Sequence, residues 1–217
     1  MAKARYIVLE GTEGVGKTTQ TENLVNYLRD ELGHKVLQTK EPGTILSPLT
    51  MELRNIMLNA KYDEQLTVSS RELISQAIRS IHIEQVIKPA LDEYDFIIQD
   101  RGILSGLAYG EGCGNNIEWL NQLTEVVSRP LVNNPFTLYD DTIYLTGNVL
   151  KGLETALNSK QEFEAGDAME QKGNEFILRV SENMKYMSQK FSNVHEINVD
   201  NKNIDEVFSE MISVLKV

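Results

Sequence analysis

The chain has 217 residues, 41% hydrophobic and 24% charged, with a formal net charge of −11. That is the composition of an ordinary globular protein with enough length for one sizeable domain. A balance this acidic argues against sequence-independent nucleic-acid binding, which needs a basic face, but leaves room for a small anion in a local basic pocket.

The first apolar run, Tyr6-Ile7-Val8-Leu9, is too short for a signal peptide, and no stretch reaches transmembrane length. It reads as a buried strand closed by Gly11. Residues 17–32 carry Leu24, Val25 and Leu28 at helical spacing, and Gly33 stops the helix. A second strand covers residues 35–40. Residues 49–59 predict a helix with Leu49, Leu53, Ile56 and Met57 on one face, and residues 67–91 a long helix kinked before Pro89. A third strand is centred on Phe96–Ile98. A helix follows at 115–128, a fourth strand at 141–147, and a helix at 168–191 with Phe176, Ile177, Val180, Met184 and Met187 inward. A fifth strand at 194–199 and a helix at 203–215 close the chain. The single cysteine, Cys113, allows no intrachain disulfide and fits a cytoplasmic setting, and no neighbouring histidine marks it as a nucleophile.

This alternation predicts an α/β fold of three layers, a mostly parallel five-stranded sheet with helices on both faces, in one domain over residues 1–217. Functional residues then gather beyond the carboxyl ends of the strands, where residues 11–18, 40–44 and 100–109 fall.

Gly11-Thr12-Glu13-Gly14-Val15-Gly16-Lys17-Thr18 fits G-x-x-x-x-G-K-[ST] between a strand and a helix. Small residues let the backbone wrap a phosphate with its N–H groups inward, and the helix beyond adds partial positive charge. Lys17 is expected to neutralise the β- and γ-phosphates of a nucleoside triphosphate, and Thr18 to offer its hydroxyl to Mg²⁺. A regulatory GTPase is not expected. Asp100-Arg101-Gly102-Ile103 has isoleucine where D-x-x-G needs glycine, and Asn201-Lys202-Asn203-Ile204 has isoleucine where N-K-x-D needs aspartate.

Further motifs follow in order: Glu10-Gly11, Thr18-Thr19-Gln20, Lys40-Glu41-Pro42-Gly43-Thr44, Arg79 with His82, Ile87-Lys88-Pro89-Ala90-Leu91, and Asp100-Arg101 with Ser105 and Ala108-Tyr109. Together, over roughly residues 5–110, they resemble the thymidylate kinase family of nucleoside monophosphate kinases. The resemblance implies a P-loop NTPase fold, ATP as donor with Mg²⁺, and dTMP or a related deoxypyrimidine monophosphate as acceptor. It also implies a lid around residues 147–172 and a homodimer. Residues 11–19 would bind ATP. Arg79 and Arg101 would hold the acceptor phosphate, for which a planar guanidinium is suited; the alternatives are a solvated helix arginine and a salt bridge to Asp100. Asp100 would hold Mg²⁺ with Thr18, or else serve as a strand-end turn residue. Glu13 would approach the sugar 3′-hydroxyl and Tyr109 the sugar's 2′ face, unless Tyr109 belongs to the core. Ser105 would lie near the base edge, and Pro42 and Gly43 would shape a loop beside the acceptor with Glu41 in support.

Three departures from the family pattern stand out. The 40–44 loop is one glycine short and has lysine for arginine. Ser75 stands where the family has a phenylalanine that stacks on thymine. The P-loop has Gly14 where some members carry an arginine, and residues 147–172 contain no arginine at all. Lys160 is the nearest replacement cation there, with a solvated lysine as the alternative reading; otherwise Arg101 shares the catalytic role with Lys17, or turnover is slow. Two other functions stay open at this point: a kinase of the same fold with another acceptor, and a non-catalytic nucleotide-binding partner protein.

Overall fold

The computed structural model describes residues 3–159 and 168–217. Among them, five strands form one sheet: β1 (Arg5–Glu10), β2 (Val36–Lys40), β3 (Phe96–Asp100), β4 (Asp141–Thr146) and β5 (Val194–Asn198). Their order is β2-β3-β1-β4-β5, and every neighbouring pair is parallel. Side chains alternate across a strand, so Tyr6 and Val8 enter one core layer while Ile7 and Leu9 enter the other. Apolar residues on both faces are the mark of a parallel sheet covered twice.

Helices α1 (Lys17–Asn26) and α9 (Ile204–Leu215) cover one face with Leu24, Val25, Val207, Met211 and Leu215. On the other face Ile103, Leu104 and Leu107 of α5 (Ile103–Gly112) pack with Phe176, Val180 and Met184 of α8 (Asn174–Ser188). Helices α2 (Pro48–Leu58), α3 (Val68–His82) and α4 (Lys88–Glu93) come between β2 and β3; α6 (Ile117–Ser128) follows α5, and α7 (Val149–Ser159) follows β4.

The expected long helix at 67–91 is α3 running through a wide turn at Ile83–Ile87 into α4. Loosening the helix there accommodates Pro89, which has no N–H to donate. The helix expected at 168–191 begins only at Asn174, because Gly173 with φ 80 interrupts it. The predicted helix face of Leu49, Leu53, Ile56 and Met57 is divided: Met57 is buried, whereas Leu49 and Ile56 are exposed. Helix α5 was not among the predicted elements, since Gly106, Gly110 and Gly112 weaken its pattern. They are there for close approach: a Cβ on Gly106 would crowd the Arg79 guanidinium, and one on Gly112 would stand 2.9 Å from Val180.

Register places the site. Leu9 of β1 and Lys40 of β2 both pair with Asp100 of β3. Three strands therefore end level, and the loops beginning at Gly11, Glu41 and Arg101 open at the same edge.

Candidate active site

These loops, with α2, α3, α5 and α7, enclose a cavity of about 590 Å³. Beyond β1 the P-loop turns through Gly14 (φ 68) and Gly16 (φ 88) into α1. Thr19 and the side chains of Glu13, Lys17 and Thr18 border the cavity with Gly14 and Gly16. Gly11, Thr12 and Val15 form the loop's back instead. Val15 is in the core, and a Cβ on Gly11 would press on the Leu145 carbonyl. Lys17 is buried and its Nζ donates to the Thr12 carbonyl. Desolvation, then repulsion from Arg101, lowers its pKa to about 7 against the pull of Asp100, Glu13 and Glu10.

Thr18 Oγ1 donates to Asp100 Oδ2 at 2.8 Å. The other carboxylate oxygen of Asp100, Oδ1, is buried without a hydrogen-bond partner among the described residues. An orphaned hard oxygen beside a hydroxyl at a phosphate loop fits Mg²⁺, which takes one or two protein oxygens and completes its shell with phosphate and water.

Beyond β3, Arg101 takes φ 63, a conformation uncommon for a residue with a Cβ. Its N–H donates to the Leu9 carbonyl at 2.9 Å, and its own carbonyl accepts from Gln99 Nε2 at 2.8 Å. This corner aims the guanidinium at the P-loop. Nη1 donates to the Gly11 carbonyl at 3.0 Å and to Ser105 Oγ at 3.3 Å, and Nη2 to Glu13 Oε1 at 2.8 Å. The alternative partner, Asp100, is displaced by Glu13. Tyr109 donates its hydroxyl to Glu13 Oε2, and its ring centroid lies 5.4 Å from the Arg101 guanidinium. Tyr109 borders the cavity and also packs edge-on against Phe176.

Arg79 also reaches the cavity, from α3. It is 3% exposed, so it is not a solvated helix arginine. Its Nε donates to Glu41 Oε2 at 2.9 Å, Nη1 to Gln76 Oε1 at 3.3 Å and Nη2 to the Gly102 carbonyl at 3.3 Å. His82 Nδ1 lies 3.1 Å from Glu41 Oε1, and its Nε2 2.8 Å from Thr39 Oγ1. Burial alone would raise the Glu41 pKa; Arg79 and His82 outweigh it and hold the carboxyl at about 2. Glu41, expected only to support a turn, is the counter-ion that keeps Arg79 in place.

Ser105 and Ser75 both border the cavity. The Ser105 hydroxyl donates to Glu10 Oε2, and the Ser105 N–H donates to the same oxygen at 3.2 Å. Its proton is thus committed inward. Pro42 borders the cavity too, and its carbonyl accepts from Arg54 Nη1 at 2.9 Å. Arg54, on α2, is a cavity cation that the sequence reading missed, although a lone arginine between Leu53 and Ile56 was the available signal. Glu72, Arg71, Met57, Cys113 and Asn115 were missed as well. Lys160 lies outside the described residues. The segment after β4 contributes α7, whose Thr155 and Ala156 border the cavity, and whose Gly152 backbone meets Gly14 so closely that a Cβ on either would overlap the other chain segment.

A glycine-rich phosphate loop at the switch point of a parallel sheet, faced by buried guanidinium groups, is the architecture of a P-loop phosphotransferase. Comparison with known proteins narrows the class. The thymidylate kinase family model matches residues 9–211. The thymidylate kinase of Finegoldia magna is 30% identical over 212 residues, 97% of each chain. That of Legionella pneumophila is 35% identical over 214 residues, 98% of this chain and 94% of its own. The crystal structure of thymidylate kinase from Ehrlichia chaffeensis has a TM-score of 0.73 at 26% identity, covering 98% of this chain and 99% of that one. The chain belongs to the thymidylate kinase family.

Proposed function

We propose that this chain transfers the γ-phosphoryl group of ATP to the phosphate of dTMP, giving ADP and dTDP. The observation that carries the reading is one cavity bordered both by the phosphate loop with Lys17 and by Arg79, Arg101 and Arg54. Phosphoryl transfer asks for two polyanions held in line with their charge neutralised, and for little else. The loop from Glu13 to Thr19, with Gly14 and Gly16 on the cavity, cradles the donor phosphates, and Lys17 follows the charge onto the leaving β-phosphate. Thr18 and Asp100 would hold Mg²⁺, which when bound would supply charge neutralisation for the donor phosphates. Arg101 bridges acceptor phosphate and P-loop, and Arg54 and Arg79 fix the acceptor from the opposite side. Glu13 and Tyr109 meet the sugar. The acceptor oxygen is already ionised, so no general base is needed, and direct transfer forms no covalent enzyme intermediate.

In this reading residues 147–172 are the lid of a single kinase domain, and the seating of α7 on the P-loop supports it. A homodimer in the cytoplasm completes the proposal; exposed Ile45, Leu46, Leu49 and Ile56 support the dimer. The test is ADP release with dTMP and Mg·ATP. Wild type turns over, and Lys17→Ala lowers kcat by about a hundredfold or more, the scale seen when one preorganised transition-state donor is removed. A wild type that forms no ADP with any monophosphate overturns the enzyme reading in favour of a non-catalytic nucleotide-binding protein.

A further inference from the structure

The proposed reaction leaves one buried charge in the acceptor half of the cavity unused. Glu72 sits on α3 one turn before Gln76 and two before Arg79, so the three side chains share a face. It borders the cavity and is 6% exposed. Its Oε1 accepts from Gln76 Nε2 at 2.8 Å. Its Oε2 lies against α5, 2.9 Å from where a Cβ on Gly110 would stand. Among the described residues, no cation comes within salt-bridge distance of it. Its sequence neighbour Arg71 is turned away, onto the Met57 carbonyl and Asp63. Burial accordingly raises the carboxyl's pKa, a hydrogen bond from Gln76 and the more distant charge of Arg79 opposing.

A buried carboxylate in a cavity lined also by Met57, Leu58, Cys113 and Met169 keeps a desolvation cost that a ligand's donor would lower. Ser75, three residues farther along α3 on the cavity wall, puts no aromatic ring in the way. The two pyrimidine edges differ in what they offer. Thymine presents a carbonyl at C4, an acceptor facing an acceptor, and only its ring N–H can donate. Cytosine presents an amino group at C4, the donor that glutamate accepts in base recognition.

We propose that Glu72 is a specificity-determining residue that lets this site take a 4-aminopyrimidine deoxynucleoside monophosphate, such as dCMP, beside dTMP, the amino group donating to Oε2. The proposal rests on the kinase reading above and deepens it. The reaction is unchanged: the bond from the γ-phosphorus to the ADP oxygen breaks as the bond to the acceptor phosphate oxygen forms.

The test is steady-state turnover of dCMP and dTMP by wild type, Glu72→Gln and Glu72→Leu, with melting temperature and ATP binding recorded for each. Wild type phosphorylates both acceptors. The ratio of kcat/KM for dCMP to that for dTMP falls about tenfold or more in Glu72→Leu, the scale of a lost charged hydrogen bond, and by less in Glu72→Gln, whose carbonyl still accepts. If the leucine variant does not fold, the same direction of change in the glutamine variant decides. Turnover of dTMP without dCMP in wild type overturns the proposal and leaves the kinase reading intact. An equal loss on both acceptors also overturns it, because a merely structural role through Gln76 and Arg79 would give that. No turnover of either overturns both.

Discussion

Lys17 is held in a state that favours ligand over fold. Its folded-state pKa of about 7 lies below its ordinary 10.5, so between those values the unfolded chain binds more protons. Stability contributed at this position therefore rises with pH through that window and is lowest below pH 7. Lys17→Met removes the buried charge and is expected to raise the melting temperature of the free protein at pH 7 by about 2–4 °C or more while abolishing ATP binding. Phosphate oxygens restore the charge, so ATP binding at pH 8 takes up close to one proton. Calorimetry in buffers of different ionisation enthalpy reads this directly, and a buffer-independent heat would refute it. Glu41, whose pKa is likewise lowered, from 4.5 to about 2, contributes stability that is present above pH 4.5 and lost as pH falls toward 2. Glu41→Gln leaves the Arg79 guanidinium buried without its counter-ion, at a cost of about 3–5 kcal/mol in chemical denaturation. These roles differ in how far the sequence disclosed them. Lys17 and Thr18 were legible because a phosphate loop needs its residues contiguous. Glu41 and Arg79 act across 38 positions, and Glu72 is indistinguishable from a solvated helix glutamate until α5 is seen packed against it.

At the level of elements, the contact between the P-loop and α7 carries the most. Backbone meets backbone at Gly14 and Gly152, and no side chain fits between. An arginine installed at Gly14 would therefore displace α7 rather than supply a catalytic cation. Gly14→Arg is expected to lower kcat by an order of magnitude or more, and Gly152→Val to raise the KM for ATP, each measured with the melting temperature as control; a faster Gly14→Arg enzyme would show that α7 yields easily. The missed α5 and the overlong helix at 168–191 share one cause. Glycine serves close approach in α5 and a break at Gly173, and a one-dimensional pattern gives the same letter for both.

Across the whole molecule the alternation of strand and helix was readable, because a sheet buried on both sides leaves runs such as Tyr6–Leu9 with no polar interruption. The strand order was not, since it depends on which crossovers pack. Exposed Ile45, Leu46, Leu49 and Ile56 belong to this scale. Light scattering is expected to give twice the mass of the 24.5 kDa chain, and Leu49→Asp to halve it; a wild-type monomer at micromolar concentration would refute the dimer. The level strand ends bring into one crevice not only cations but their partners. Arg101 is matched by Glu13 and Arg79 by Glu41, so these two arginines add little surplus positive charge to hold whatever leaves the crevice. The product nucleoside diphosphate carries more negative charge than the monophosphate that entered, and meets in these paired arginines less counter-charge than unpaired ones would present. Departure, which limits many enzymes of this kind of compact closed site, is made easy here by the same pairing that holds the arginines still.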